Sequence, residues 1–161
     1  MLDGHPAAKV LELEGFEAPG VGDLDWDDQA TIVELGELND RAYGHQAGDG
    51  LAPAFARTPP GLALRLYRAR VDGELACVMG TIDHRPTAGA SGPDCGIYFV
   101  ATDPDRRGQG LATRLMGIAL AQARERGCTT SSLQSSALGE PVYTRLGYQP
   151  YFRFHMYERR R

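Results

Sequence analysis

The chain has 161 residues, 42% apolar and 24% charged, with a formal net charge of −4. That is room for one domain with a sizeable core, and the acidic balance argues against nucleic acid as a partner. No apolar run nears the roughly 20 residues that span a bilayer, so no membrane partner is expected; Cys77, Cys95 and Cys128, odd in number and far apart, suit a reducing cytoplasm better than a disulfide framework or a zinc site.

Met1 to Gly20 carries acids, a lone Lys9 and no long apolar core, so it does not read as a signal peptide. Within it, Lys9-Val10-Leu11-Glu12-Leu13-Glu14 alternates as a short half-buried strand would, and Gly15, Pro19 and Gly20 end it. Two readings stay open for residues 1–20: an N-terminal extension left from a linker or tail, or an extra strand at the sheet edge. Residues 21–161 form the main domain. Val21 to Trp26 reads as a weak strand. Asp27 or Asp28 caps a helix whose apolar face is Ile32, Leu35, Leu38 and Ala42, stopping near Gly44. Leu51 to Arg57 is a second, short helix. Leu62 to Arg70 alternates as a half-exposed strand, Val71-Asp72-Gly73-Glu74 makes a hairpin turn, and Leu75 to Asp83 returns. Pro86 to Pro93 is a loop and Cys95 to Thr102 a central strand. A long helix runs from about Gly108 to Arg126, stopped by Gly127. Thr129 to Ser135 is a strand, Leu138 to Arg145 a short helix with Pro141 in its first turn, and Gln149 to Tyr157 a final strand. This order predicts a mixed α/β fold with helices on both faces of the sheet.

The most informative stretch joins the central strand to the long helix. Asp103-Pro104-Asp105 ends the strand, and Leu111, Leu115 and Ile118 with Ala112, Met116, Ala119 and Ala123 recur at helical spacing. A helix start exposes unpaired N–H groups and the positive end of the dipole. Gly108 and Gly110 let a ligand approach the backbone, and Arg106 and Arg107 add positive charge. A phosphate or pyrophosphate is the natural occupant. No Gly-Lys-Ser/Thr follows, which excludes a Walker loop, and the third glycine of a dinucleotide fingerprint is missing.

Arg107-Gly108-Gln109-Gly110-Leu111-Ala112 resembles the Arg/Gln-x-x-Gly-x-Gly/Ala pyrophosphate loop of the GNAT superfamily of N-acetyltransferases. Downstream, Tyr143-Thr144-Arg145-Leu146-Gly147-Tyr148 is similar to that family's Tyr-x-x-Leu-Gly-Phe/Tyr segment. The resemblance covers roughly Val21 to Tyr157 and is specific from Tyr98 to Tyr148. It implies a GNAT-like acyl-CoA N-acyltransferase fold, with a mostly antiparallel sheet whose middle strands splay to admit the donor, acetyl-CoA, and no metal. It implies that the amides of Gly108, Gln109, Gly110, Leu111 and Ala112 hold the pyrophosphate, with Arg106 or Arg107 beside it, and that Val100, Ala101 and Thr102 pair with the pantetheine arm. It implies that Tyr143 protonates the departing thiolate. A phenol with pKa near ~10 is suited to that.

The general base stays open: the strand offers Asp94, Cys95 and Tyr98, its surroundings Asp83, His84 and Glu140. Ser135 and Ser136 face the pantetheine or the acceptor, while His5, His45 and His155 show no metal spacing and read as surface or packing residues. The resemblance implies direct attack by a primary amine in a ternary complex, with Cys95 the residue that keeps a covalent route open. The acceptor is a small molecule or a peptide amine; Asp23, Asp25, Asp27, Asp28, Glu34 and Glu37 either attract a cationic amine or form a solvated face. A homodimer is left open. The competing readings are a non-catalytic acyl-CoA sensor or scaffold and a phosphate-binding regulator unrelated to CoA.

Overall fold

The structure, a computed structural model, describes residues 6–45, 50–57 and 63–155. In chain order the elements are β1 (Ala7–Glu12), β2 (Asp25–Asp27), α1 (Ile32–Tyr43), α2 (Ala52–Phe55), β3 (Arg65–Val71), β4 (Glu74–His84), β5 (Asp94–Thr102), α3 (Leu111–Glu125), β6 (Thr130–Ser135), α4 (Glu140–Arg145) and β7 (Gln149–Arg153). They build a seven-stranded sheet of order β2-β3-β4-β5-β6-β1-β7, in which only the β5–β6 pair is parallel. One hydrophobic cluster, under α3, holds Leu115, Met116, Leu120, Cys95 and Ile97. A smaller one on the opposite face sits under α1, around Leu35, Leu38, Val78 and Ala101.

The N-terminal strand is not at an edge, where the alternation of Lys9–Glu14 had suggested it. β1 lies between β6 and β7, antiparallel to both. An edge strand keeps one side in water, but Ala7, Ala8, Lys9 and Leu11 are all buried. Lys9, 2% exposed, is admitted because its ammonium lies 2.8 Å from the Glu140 carboxylate at the start of α4.

The cap of α1 is Thr31, not Asp27 or Asp28. Its hydroxyl accepts from the Glu34 N–H and the Glu34 carboxylate accepts from the Thr31 N–H, a reciprocal box. Asp27 is taken instead by β2, where Arg68 and Arg70 bind its carboxylate. The expected strand from Val21 shortens accordingly to Asp25–Asp27. Asp72 and Gly73 turn the β3–β4 hairpin with positive φ of 55° and 80°. Trp26 and Phe16 pack against the larger cluster. Of the predicted positions, Leu62, His5 and the last residues of the final strand, 156 and 157, lie outside the described residues.

Candidate active site

The site begins with an irregularity in β5. Val78 of β4 opposes Ala101 and Gly80 opposes Tyr98, so Met79 alone faces both Phe99 and Val100. This is a β-bulge, and Phe99 takes a φ of 54° to form it. The bulge switches the strand's faces. Cys95 and Ile97 point to the α3 side and Val100 rejoins them there, while Phe99 and Ala101 turn to the α1 side. On its other side β5 pairs with β6 over Asp94–Gly96 only. From Ile97 to Thr102, no described strand pairs with that side of β5. The two strands part, and backbone donors and acceptors there are available to a ligand lying between them.

The strand then runs into the start of α3. The Asp103 carboxylate accepts from the Asp105 N–H at 3.0 Å and tightens the turn. Gly108 and Gly110 adopt left-handed φ of 78° and 71°. Gly110 is the N-cap of α3 and supplies no side-chain acceptor, so α3 begins at Leu111, later than the sequence pattern suggests. The first-turn N–H groups of Leu111, Ala112 and Thr113 therefore have no capping side chain. A Cβ placed on either glycine would meet nothing within 4 Å, so the space over both is open. The Thr113 hydroxyl in the same turn is buried and has no partner among the described residues. Arg107 donates to the Ala42 carbonyl at 2.6 Å, and Arg106 lies 3.2 Å from Asp72; both are anchored by the protein beside the loop.

A cleft of about 300 Å³ opens between this loop, the parted strand and α4. Every residue of the predicted donor-binding set lines it except Gln109, and so does Tyr143. Thr113 and Leu138 also line it, and sequence pattern did not single them out.

Tyr143 sits on the first full turn of α4, 7% exposed. Its ring packs edge-on to Tyr148 with centroids 6.1 Å apart, and Gly139 lies so close that any Cβ there would fall 2.6 Å from the ring. The carboxylate of Glu140 holds the helix start, accepting from Lys9 at 2.8 Å and the Ser135 hydroxyl at 2.9 Å. The Tyr143 hydroxyl makes no hydrogen bond to any described residue. Burial, reinforced by the Tyr43 hydroxyl, pushes its pKa well above the usual 10.0.

A second cavity, of about 370 Å³, lies on the other side of Val100, Tyr43 and Tyr143, which line both. Asn39, His45, Gln134 and Ser136 supply its remaining polar groups, and Leu51, Ile97 and Phe99 its apolar wall. His45, read from sequence as a surface or packing residue, thus belongs to a cavity wall. Ser136 lines this cavity, whereas Ser135 is turned to Glu140.

None of the base candidates lines either cavity. Asp83 is held by Arg126 at 2.7 and 2.9 Å; Asp94 accepts from Thr130 and Ser132; His84 is hydrogen-bonded to the Tyr98 hydroxyl. Cys95 is fully buried, and burial pushes its thiol up to about 12, which leaves it without thiolate near neutrality. Three acids of the acidic run are paired locally: Arg68 binds Asp27 and Glu34, and Arg114 binds Asp23. No helix among the described residues is long and apolar enough to cross a membrane.

A model of the acetyltransferase (GNAT) family matches residues 27–148. The chain belongs to this family. Its fold is the GNAT acyl-CoA N-acyltransferase fold. The matched span leaves out β1 and β7, although both are paired into the sheet. Among solved structures, a GCN5-related N-acetyltransferase from Kribbella flavida is 20% identical, with a TM-score of 0.62 over 95% of this chain and 57% of its own. A putative GNAT acetyltransferase from Novosphingobium aromaticivorans is 22% identical, with a TM-score of 0.62 over 95% of this chain and 63% of its own. This chain thus spans about three fifths of the length of those two. A predicted acetyltransferase from Clostridium acetobutylicum, solved with acetyl-CoA, is 21% identical, with a TM-score of 0.65 over 80% of this chain and 91% of its own. A comparison with curated proteins found no sequence match.

Proposed function

We propose that this GNAT acyltransferase moves an acetyl group from acetyl-CoA to a primary amine, by direct attack with donor and acceptor bound together. The observation that carries the reading is that two cavities meet at Tyr143. One is headed by the bare N-terminus of α3 and the other is walled by polar side chains, among them Asn39, His45, Gln134 and Ser136.

The donor supplies an activated acyl thioester. On this reading the amides of Leu111 and Ala112, with the open backbone at Gly108 and Gly110, take its diphosphate. The unpaired side of Val100, Ala101 and Thr102 receives its pantetheine arm as a further strand. The arginines steady the loop, Arg107 through Ala42 and Arg106 through Asp72. As the amine nitrogen bonds to the acyl carbon, the carbon–sulfur bond breaks and the sulfur takes the electron pair. Tyr143 delivers its proton to that sulfur, the nitrogen's surplus proton leaves to water, and the tyrosinate takes a proton back from water. Tyr143 suits the task because its hydroxyl has no competing partner and stays protonated through the neutral range. The high thiol pKa of Cys95 supports direct attack over a cysteine-bound acyl group. The solved Clostridium acetobutylicum relative holds acetyl-CoA, and an aminoglycoside N-acetyltransferase of the same fold, 14% identical, holds CoA; both support the donor. Free, buried cysteines support a cytoplasmic setting.

Thiol release from acetyl-CoA across a panel of amines tests this. Tyr143→Phe should lower kcat by on the order of 10²–10⁴-fold while leaving CoA affinity, read by calorimetry, within a few-fold. Full turnover in Tyr143→Phe refutes the acid role. CoA binding with no product from any amine would leave the chain as an acyl-CoA-holding domain.

A further inference from the structure

Asn39 is 5% exposed, yet its side-chain amide makes no hydrogen bond to any described residue. It lies on α1 and lines the second cavity. The amide is open to that cavity rather than sealed, so an incoming group can pair with it. Asn39 does not stand alone. The Tyr143 hydroxyl, on a buried residue of the same wall, also has no partner among the described residues, and the exposed Gln134 and Tyr43 add polar groups at its rim. The Ser136 oxygen accepts from the Gly139 N–H, which leaves its proton free to be donated.

The wall holds no permanent charge. Among the described lining residues there is no carboxylate, ammonium or guanidinium group, and the His45 imidazole is the one group that can become a cation. An acceptor bearing a phosphate or carboxylate would find no fixed counter-charge, and a polyamine would find no carboxylate for its further ammonium groups. A plain alkyl amine would leave the Asn39 amide unpaired. The lining is matched by hydroxyl or amide groups, each of which both donates and accepts. Ile97, Phe99 and Leu51 supply an apolar flank for the carbon skeleton.

Resting on the acetyl-transfer reading for its location, we infer that the second cavity selects a small, polyhydroxylated primary amine, uncharged apart from the reacting nitrogen, and that Asn39 is the residue that fixes it. Asn39 binds the body of the acceptor rather than the reacting atoms. Its removal therefore acts on KM and leaves kcat for a bound acceptor nearly unchanged.

The experiment compares glucosamine, its phosphate ester, spermidine and hexylamine as acceptors with acetyl-CoA at saturation. Glucosamine should show the highest kcat/KM. Asn39→Leu should raise its KM on the order of 10- to 100-fold with little change in kcat, while the KM for hexylamine stays put. Preference for spermidine, the phosphate ester or hexylamine overturns the inference, and so does an unchanged glucosamine KM in Asn39→Leu. If Asn39→Leu does not fold, the panel on the unaltered protein still decides, with Gln134→Leu as the second variant. If CoA binds and no amine is acetylated, it is the transfer reading that fails. The cavity is then judged by titrating glucosamine into the CoA-saturated protein: heat of binding lost in Asn39→Leu sustains the inference, and no heat in the unaltered protein ends it.

Discussion

Replacing Gly139 with alanine asks whether the placement of one hydroxyl limits turnover. The backbone at Gly139 has an ordinary φ of −80°, so alanine fits the conformation. The obstacle is space: a Cβ would lie 2.6 Å from Cε2 of Tyr143 and 2.9 Å from both Cζ and the hydroxyl oxygen. Ordinary contact begins at 3.4 Å, so the ring must retreat by about 3.4 − 2.6 = 0.8 Å to reach it. A displacement of about 1 Å at a reacting group costs on the order of 10²-fold in rate, or about 2.7 kcal/mol of barrier. The cost in stability is that of crowding, about 1–3 kcal/mol, because alanine gains nothing over glycine at this N-cap. The assay is thiol release at saturating acetyl-CoA, with CoA affinity by calorimetry and a thermal melt alongside. The expected result is a large fall in kcat, unchanged CoA affinity and a melting midpoint within several degrees of the parent. In a Tyr143→Phe background the same change should add little, because the hydroxyl it displaces is already gone. A kcat within twofold of the parent, or an equal loss in both backgrounds, refutes the reasoning.

Gly110→Ala should weaken CoA binding and cost about 1–2 kcal/mol of stability, since the residue holds a left-handed φ of 71° and its Cβ would meet no atom within 4 Å; urea unfolding separates this strain from a clash. Asp83 should contribute to acid stability. Its hydrogen bonds from Arg126, with that cation's charge, hold its carboxyl below the ordinary 3.8 despite partial burial. A lowered folded pKa means the stabilisation is complete above pH 3.8 and disappears as pH falls through the folded value. Asp83→Asn should flatten that acid limb of the stability–pH curve, and a curve of unchanged shape would contradict the pairing.

The strand–loop–helix segment was legible because its signals are local. A β-branched run, Asp103-Pro104, spaced glycines and a helical repeat follow one another within a short stretch. Tyr143 was legible by its motif. What escaped depends on contacts far apart in the chain. Thr31 outcompeted Asp27 as a cap because Arg68 and Arg70, on another strand, claim the Asp27 carboxylate. Lys9 looked like the wet half of an alternating strand; only Glu140, far along the chain, explains its burial. The bulge at Phe99 leaves no mark in a strand whose composition suits an unbroken pleat. Asn39 was hidden beside Leu38 on a helix face judged by its apolar residues, and His45 lay in a loop whose neighbours across the cavity come from β5, β6 and α4.

The position of β1 carries a consequence for how the molecule comes into being. Both of its edges are completed by strands from the far end of the chain, β6 and β7. During synthesis, Ala7–Glu12 leaves the ribosome long before either neighbour exists, with its hydrogen-bonding edges open to any passing strand. Closing so long a loop is slow, and until it closes, Lys9 has no Glu140 to meet and the turn of helix bearing Tyr143 has no anchor on the sheet. Tyr143 is thus seated only once strands from distant parts of the chain have paired.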